Sequence, residues 1–365
     1  MLRLVSKISH RLARYEFRDE MNPTPGLTPD LHIEVSTRLD PVEVAAVGLL
    51  VEAVTEADGV RPLDEHVMLH LRYGGDYDVR HVLVWHRDEH KTDLVVGYLH
   101  LDVTDPVAGS SAELAVHPQH RRRGIGASMV AQALAESPDH RIRLWSHGEY
   151  AAAGALARAM GFTVSRVLWQ MRRSLYSALP RIDLPHGIAL RTFVPGSDEA
   201  EWLELNARAF VDLPDQGRWT QTDLRERMRE AWFDPNGFLV AYLDRSGDPQ
   251  HGSMVGFHWT KVHGSDAHIG PDIHHHHEVQ HPHSAPKEEH EHAHEPIGEV
   301  YVVGVDPQWS GTGLGRGLTV AGLHHLRNVG LSATMLYVDA TNTRAIRLYE
   351  SLGFSRWDTD VQYQR

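Results

Sequence analysis

The sequence contains no cysteine among its 365 residues. Disulfide bonds, thiolate metal sites and a cysteine nucleophile are therefore excluded, and the absence is compatible with a reducing cytoplasm. No apolar run approaches the roughly 20 residues that a membrane-spanning helix needs. The formal net charge of −13 argues against non-specific binding to nucleic acid or to anionic membranes. We therefore expect a cytoplasmic protein.

The composition is ordinary for a globular protein, with 41% hydrophobic and 23% charged residues, and the length allows two domains. Residues 1–30 differ from the rest: a basic, partly amphipathic segment is followed by the breaker-rich stretch NPTPGLTP. This segment lacks the apolar core and cleavage site of a secretory signal. We expect a disordered extension, or translation that starts at Met21, rather than a membrane anchor.

A glycine-rich turn follows an alternating apolar stretch in residues 299–316, EVYVVGVDPQWSGTGLGR. The pattern predicts a strand over Val300–Val305, a turn and then a helix that continues to Asn328. Unpaired N–H groups of a first helical turn converge on one point, where the helix dipole adds partial positive charge. Such a turn binds phosphate or pyrophosphate groups. On its own the signal is weak, because glycine-rich turns also occur for packing reasons.

The same pattern occurs a second time, in residues 113–126, ELAVHPQHRRRGIG. A shift of 189 positions brings Val116 onto Val305 and Gly124 onto Gly313. Further matches lie downstream at a shift of 192 and upstream at a shift of 159. The upstream shift of 159 is 30 residues smaller than the shift of 189 at the glycine turn. Thirty residues is the length of a His-rich segment, residues 266–295, that the second copy alone carries. The sequence therefore predicts a tandem duplication with an insertion in the second copy.

Helix and strand signals recur in the same order in both copies. Asp40-Pro41-Val42-Glu43 predicts a capped helix start, with a proline in the first turn and a reciprocal glutamate. A second helix is expected over Leu63–Arg72, and strands, the glycine turn and its helix follow. In the second copy, helices are expected near residues 198–211 and 220–232, with strands at residues 238–243, 254–262, 299–305 and 334–340.

The strand, the R-x-x-G-x-G turn of the first copy and the late Gly-Phe pair resemble the GNAT acetyltransferase family. The resemblance implies an α/β (α+β) fold of two tandem GNAT domains, each a mixed, mostly antiparallel sheet flanked by helices. We expect domains at residues 31–172 and 188–365 with a linker at residues 173–187. The first domain is expected to be non-catalytic and able to bind acetyl-CoA, and the second to be catalytic.

Several strings of the second copy narrow the resemblance: GRWT, EAWFDPNGF, GFHWTK, EVYVVGVDP and YESLGF. They resemble tandem-domain members of the family that use acetyl-CoA to acetylate the cysteinyl amine of cysteinyl-glucosaminyl-inositol. The resemblance implies substrate contacts from Glu65, Asp215, Lys261, Glu299 and Tyr337. Asp215 stands where the family has a longer Glu, and Lys261 without the resemblance would be a solvated lysine at a strand end.

Acetyl transfer requires removal of a proton from the amine and neutralisation of the leaving thiolate. The resemblance makes Glu299 the general base and Tyr349 the acid that protonates the sulfur of CoA. Without the resemblance, Glu299 would be interpreted as a carboxylate at the rim of a strand, and Tyr349 as a half-buried tyrosine of a helix, neither of them catalytic. At the aligned positions the first copy has Ser110 and Ala157, so that copy lacks both proton-transfer groups.

The resemblance also assigns the acetyl-CoA contacts. In the second copy these are Val303, Gly304, Val305, Ser310, Gly311, Thr312, Gly313, Leu314, Gly315, Arg316, Asn342 and Arg347. In the first copy they are Leu114, Ala115, Val116, Arg121, Arg122, Arg123, Gly124, Ile125 and Gly126. The second copy departs from the family at the start of the loop, where Ser310 stands in place of the usual basic or Gln residue, and Gly311-Thr312 replaces the basic pair Arg122-Arg123 of the first copy. Binding is expected to survive, because most phosphate contacts come from backbone N–H groups.

The His-rich segment contains 11 histidines between His263 and His294, with six Asp or Glu among them. Imidazoles bind Zn²⁺ and Ni²⁺, but a segment with almost no apolar residues cannot fix the geometry of a site. We therefore favour a solvated loop and expect no required metal. Two other functions remain open: acetylation of another small amine (an aminoglycoside, a polyamine or an amino acid), and a His-rich metal-binding protein on a GNAT scaffold. We expect a monomer.

Overall fold

The computed structural model describes residues 27–74, 78–87, 93–105, 109–264 and 296–365. Most of the predicted N-terminal tail and the whole of the His-rich insertion lie outside these residues, as do the side chains of Pro214 and Asp215. Within the described parts, no helix is both long and apolar enough to cross a membrane. The chain forms two compact units, one of residues up to Leu168 with Asp358–Arg365, and one of Trp169–Trp357.

The first unit contains strands, helices and the start of a strand that continues into the second unit. In chain order they are β1 (Leu31–Ser36), α1 (Pro41–Asp58), α2 (Glu65–Tyr73), β2 (Val79–Arg87), β3 (Asp93–Asp102), β4 (Ser110–Val116), α3 (Ile125–Glu136), β5 (Ile142–Ser146), α4 (Ala151–Ala159) and β6 (Thr163–Ser174).

The second unit repeats this order of elements. They are β7 (Ile188–Thr192), α5 (Glu199–Ala209), α6 (Pro214–Gly217), α7 (Gln221–Arg229), β8 (Phe238–Leu243), β9 (Met254–His263), β10 (Ile297–Val305), α8 (Leu314–Asn328), β11 (Ala333–Asp339), α9 (Thr343–Ser351) and β12 (Ser355–Gln364), the last of which ends in the first unit.

Each unit is built on a mixed sheet in which the strand that leads into the glycine turn runs parallel to the strand after the following helix. In the first unit the order is β1-β2-β3-β4-β5-β12, and β4 with β5 is the parallel pair. In the second unit the order is β6-β11-β10-β9-β8-β7, and β10 with β11 is the parallel pair. The predicted fold of two GNAT domains is confirmed at this level.

Helix α1 begins as the sequence predicts. The Asp40 side chain accepts hydrogen bonds from the N–H groups of Val42 and Glu43, and the Glu43 side chain accepts from the Asp40 N–H at 2.7 Å. Together these bonds satisfy donors that the first helical turn leaves unpaired. The helix ends at Gly59, whose φ of 71° lies in the left-handed region that glycine adopts readily.

The unit boundary differs from the predicted domains, because the last eight residues, Asp358–Arg365, join the first unit. Strand β12 pairs with β5 there, from Val361 opposite Ser146 onward. Asp360 strengthens the connection, since its carboxylate accepts from the Gly148 N–H at 2.9 Å and contacts His147 Nδ1 at 3.0 Å. The predicted linker also starts inside a strand, because β6 continues to Ser174.

Three histidines lie in the interior of the first unit. His70, His81 and His100 are each at most 6% exposed, and their ring centroids lie 5.2 to 6.0 Å apart. The Tyr98 hydroxyl lies 2.8 Å from His81 Nδ1. Burial and the neighbouring His70 lower the pKa of His81 to about 4. Burial lowers the pKa of His100 well below its ordinary value. The cluster is therefore neutral at physiological pH.

We expect the first unit to lose stability as the pH falls below about 6.5, the pKa of histidine in an unfolded chain. Because the folded pKa of His81 is the lower one, the unfolded state binds more protons until about pH 4, where the loss levels off. From about pH 7.5 to about pH 5, His81 alone lowers the free energy of unfolding by about 2 kcal/mol. Hydrogen exchange of β2 and β3 amides, corrected for intrinsic rates, measures the loss. In His81→Gln, which cannot titrate, an equally large loss would contradict the assignment.

Aromatic side chains fill one face of the second unit's sheet. Trp202 of α5 packs edge-on to Phe238, Phe257 and Trp259, and Phe238 stacks on Trp259 with centroids 4.4 Å apart. All four side chains are fully buried. Burial of rings of this size supplies much of the hydrophobic stabilisation of a small domain. It also fixes the strands β8, β9 and β10 that carry the candidate site.

Candidate functional site

The parallel strands β10 and β11 separate after two residue pairs. They are paired at Gly298–Thr334 and Glu299–Met335 only, although both strands are described along their whole length. Strand β10 stays paired with β9 up to Val305, with a bulge between Val300 and Val302. The β11-facing backbone groups beyond Glu299 thus have no ladder partner in β11. Such groups can bind an extended amide chain, and the predicted contacts Val303, Gly304 and Val305 lie on this segment.

The glycine turn leads directly from this strand into α8. Gly311 and Gly313 have φ values of 84° and 93°, which side chains other than glycine rarely adopt. Gly313 caps α8 without a side-chain hydrogen bond, and no side chain of the described residues accepts from the first-turn N–H groups of Leu314, Gly315 and Arg316. This arrangement is suited to a pyrophosphate.

A cavity of about 230 Å³ lies beside the start of α8. Its lining includes Arg181, Thr312, Gly313 and Arg316. Arg316 donates a hydrogen bond to the Ser351 hydroxyl at 2.7 Å. The lining also includes one carboxylate, that of Asp183. Two guanidinium groups and a helix N-terminus outweigh it, so the cavity favours an anionic ligand.

Other residues predicted to bind acetyl-CoA have structural contacts of their own. Ser310 accepts a hydrogen bond from Arg344 at 2.7 Å, so a guanidinium lies next to the turn although the loop itself has no basic residue there. Asn342 caps α9 by accepting from the Ala345 N–H at 3.1 Å. Arg347 is exposed on the same helix. In the second unit a guanidinium next to the turn therefore comes from Arg344 of α9, whereas in the first copy the arginines are part of the loop itself.

The first unit has the same backbone shape but different charges. Gly124, with a φ of 82°, caps α3, and Arg122, with a φ of 65°, takes the position that Gly311 has in the second unit. Arg121 forms two hydrogen bonds with Asp58, at 2.7 and 2.8 Å. Arg123 bonds to Asp30 at 2.6 Å and to Thr28. Two of the three predicted arginines are thus paired with carboxylates of their own unit.

Glu299 stands at the point where the two parallel strands separate. It is 7% exposed, so it is not the carboxylate at a strand rim that the residues alone suggested. Its Oε2 accepts a hydrogen bond from His263 Nε2 at 2.7 Å, and Lys261 is its neighbour across the β9–β10 pair. A buried carboxylate with a free lone pair and a polar partner is suited to accept a proton from an amine.

Lys261 is buried rather than solvated. It is 8% exposed, and its Nζ lies 4.7 Å from the ring centroid of Trp232 and 5.1 Å from that of Tyr301. The Tyr301 hydroxyl accepts a hydrogen bond from Arg227 at 2.8 Å. Two ring faces thus stabilise the ammonium group in this position. The structure brings Lys261 and Glu299 together with His263, which the sequence did not single out.

Tyr349 lies on α9, half-buried, with its ring 5.8 Å from that of Phe354. Burial raises the pKa of its hydroxyl to about 12, so the phenol stays protonated throughout the physiological range. None of the described residues forms a hydrogen bond with this hydroxyl. A protonated donor with no partner among those residues is available to a ligand.

The remaining predicted substrate contacts lie on other elements of the chain. Tyr337, on the separated part of β11, accepts a hydrogen bond from Gln170 at 2.8 Å. Glu65 is the first residue of α2 in the first unit. Asp215 lies in the short helix α6, and its side chain lies outside what the structure describes.

Two residues of the site were missed by the sequence analysis. His263 was grouped with the His-rich segment, although GFHWTK continues into it as strand β9. Arg344 is part of NTRAIR, from which only Asn342 and Arg347 were assigned. The strand period would have placed His263 on the face of Lys261. Across the described residues, no group of three or more His, Asp or Glu is arranged to hold a metal ion.

Comparisons with known proteins identify the family. A profile of the acetyltransferase (GNAT) family matches residues 200–354, and a GNAT domain profile matches residues 78–164. A mycothiol acetyltransferase from Acidothermus cellulolyticus is 50% identical over 339 residues, covering 93% of this chain and 96% of that protein. A mycothiol acetyltransferase from Streptosporangium roseum is 48% identical over 363 residues, covering 91% of this chain and 99% of that protein.

Solved structures share the fold at lower identity. A tandem GNAT protein from the clavulanic acid biosynthesis pathway has a TM-score of 0.61 at 20% identity, covering 92% of this chain and 98% of that chain. A GCN5-related N-acetyltransferase from Sphaerobacter thermophilus has a TM-score of 0.60 at 22% identity, covering 93% of this chain and 96% of that chain. On the strength of relatives that match nearly the whole chain, this two-domain GNAT acetyltransferase belongs to the mycothiol acetyltransferase family.

Proposed function

We propose that the second unit transfers the acetyl group of acetyl-CoA to the cysteinyl amine of cysteinyl-glucosaminyl-inositol, the last step in the synthesis of mycothiol. The observation that carries the proposal is the buried Glu299 at the head of the opening between β10 and β11, on the strand that leads into the glycine turn. The names of the relatives support the acceptor.

The residues present fit acetyl-CoA as the acetyl donor. Unpaired backbone groups of β10, with Val303 to Val305, would hold the pantetheine arm. The first-turn N–H groups of α8, together with Arg316 and Arg344, would hold the phosphates. The contacts assigned in the first unit, from Leu114 to Gly126, would hold a second molecule of the same kind.

Glu299 would remove a proton from the substrate ammonium group, because its nitrogen cannot attack the thioester until it has lost that proton. An α-ammonium group has a pKa of about 8, so most of the acceptor is protonated at neutral pH. The carboxylate of Glu299 takes one proton from nitrogen, and the lone pair of nitrogen then forms the new C–N bond with the thioester carbonyl. Lys261, held by Trp232 and Tyr301, would orient hydroxyls of the sugar and inositol.

Tyr349 would supply the proton for the departing sulfur. As the C–S bond breaks, its electron pair goes to sulfur, and the protonated phenol donates a hydrogen bond and then a proton to it. The raised pKa of Tyr349 guarantees that this proton is present. Glu65, Asp215 and Tyr337 stay predicted substrate contacts, and the protein is proposed to act as a cytoplasmic monomer that needs no metal.

Release of CoA, measured with the full-length protein across a panel of amines, tests the function. Turnover confined to cysteinyl-glucosaminyl-inositol supports the proposal, whereas turnover of an aminoglycoside, a polyamine or an amino acid would identify a different acetyltransferase. A metal-binding role instead predicts stoichiometric Zn²⁺ or Ni²⁺ binding that deletion of residues 266–295 abolishes, with no CoA release. Isothermal titration with each metal salt distinguishes this result.

A further inference from the structure

The contact between Glu299 and His263 offers a path for a proton that the proposed reaction leaves on Glu299. Glu299 takes a proton in every turnover and must lose it before the next one. Its side chain is only 9% exposed, and the substrate would cover it further, so direct transfer to bulk water is obstructed. A group that contacts both Glu299 and solvent is required.

His263 meets this requirement. Its Nε2 lies 2.7 Å from Glu299 Oε2, within reach of direct proton transfer, and its side chain is 35% exposed. A carboxylate can only accept in such a contact, so the ring nitrogen facing it carries the hydrogen when Glu299 is ionised. Once Glu299 has taken a proton, it can donate a hydrogen bond in its turn, to the tautomer of His263 whose hydrogen lies on Nδ1.

We infer that His263 relays the proton from Glu299 to solvent during acetyl transfer. Glu299 accepts the proton from the substrate ammonium. Its O–H then gives that proton to Nε2 of the His263 tautomer whose hydrogen lies on Nδ1, and Nδ1 releases its own hydrogen to water, which leaves an ionised Glu299 facing Nε2–H. Exchange with solvent restores the Nδ1–H tautomer for the next turnover. These steps are proton transfers only; no group is oxidised or reduced, and no co-reactant is required. His263 acts through Glu299 and is therefore a positioning and relay residue rather than a catalytic one. The inference rests on the proposed function of Glu299 as base.

Other charged groups near the pair do not supply the same path. Lys261 is the cross-strand neighbour of Glu299, but its ammonium is buried against Trp232 and Tyr301. Arg227 of the packed helix α7 bonds to the Tyr301 hydroxyl and stays protonated at any physiological pH. Neither group reaches solvent as an exchanging acid.

Two variants separate relay from simple orientation. His263→Gln keeps an N–H donor for Glu299 but cannot carry a proton, whereas His263→Ala removes both and leaves space for a small molecule. We expect each to lower kcat by roughly 10²-fold, with KM for the amine changed much less. Added imidazole should restore turnover in His263→Ala. His251→Gln, a change at an exposed histidine near Asp244, is the matched control and should keep wild-type turnover.

Each result of these experiments either supports the relay or overturns it. Restoration by imidazole in His263→Ala, together with a low kcat in His263→Gln, supports the relay. Wild-type kcat in His263→Gln would overturn it and leave only an orienting hydrogen bond, and failure of imidazole to restore His263→Ala would also overturn it. The assay uses whichever amine the wild-type protein acetylates. A different acceptor would therefore refute the proposed substrate without affecting the test of the relay.

Discussion

Glu299→Gln should lower kcat at neutral pH by roughly 10²-fold or more, because the amide cannot take the proton that blocks attack by the amine. The substitution is nearly isosteric, and a glutamine oxygen can still accept the hydrogen bond from His263. Affinity for acetyl-CoA should change little, since the phosphate-binding turn begins beyond the end of β10. Steady-state release of CoA with saturating acetyl-CoA measures the effect.

The pH dependence of the defect identifies its cause. Above about pH 8 the acceptor is already largely deprotonated, so a base is needed less and the gap between the variant and the wild type should narrow. Glu204→Gln, a change at an exposed glutamate on α5, is the control and should behave as wild type. A defect that stays constant from pH 7 to pH 9 would indicate a loss of binding or structure rather than of a base. Turnover equal to wild type would remove Glu299 from the mechanism.

The internal repeat made most of the fold predictable. Both glycine turns are where the sequence indicated, and Gly124 and Gly313 cap their helices with φ values of 82° and 93°. The order of helices and strands in one copy could be checked against the other, which a single domain does not allow. The capping signal at Asp40 was equally specific, because a capping box requires two residues at fixed spacing.

Strands β6 and β12 were missed because polar residues predominate in both and because the buried residues of β12 include the polar Asp360 and Gln362. Strand β12, SRWDTDVQYQ, is largely polar, and β6 is partly exposed along most of its length. Their partners in the sheet, rather than their own side chains, determine that they are strands. The pairing of β12 with β5 places the C-terminal residues in the first unit, and no local signal indicates such long-range pairing.

The candidate site could be predicted only in part for a related reason. The positions of Glu299 and Lys261 followed from family strings, but their burial did not, because it depends on Trp232 and Tyr301 from separate elements. His263 belongs by composition to a low-complexity segment and by structure to strand β9. The paired state of Arg121 and Arg123 was likewise not predictable, since Asp58 and Asp30 are distant in sequence.

Tyr349→Phe should also lower kcat by roughly 10²-fold, while the free energy of unfolding changes by less than about 0.5 kcal/mol. The variant removes a single oxygen that has no hydrogen-bond partner among the described residues, and it keeps the ring that packs against Phe354. Stability and catalysis should therefore separate. Chemical denaturation measures the first, and CoA release at saturating concentrations of both substrates measures the second.

The expected loss follows from the chemistry of the leaving group. A thiolate with a conjugate acid of pKa about 8.5 leaves poorly from an apolar opening unless a donor neutralises it. Because burial raises the pKa of Tyr349 to about 12, its proton is present across the whole pH range of the assay, and the loss should not vary with pH as that of Glu299→Gln does. Tyr242→Phe, a change at another half-buried tyrosine of the second unit, should have no such effect. If Tyr349→Phe kept wild-type turnover, sulfur would have to be protonated by another group or by water, and Tyr349 would be a packing residue only.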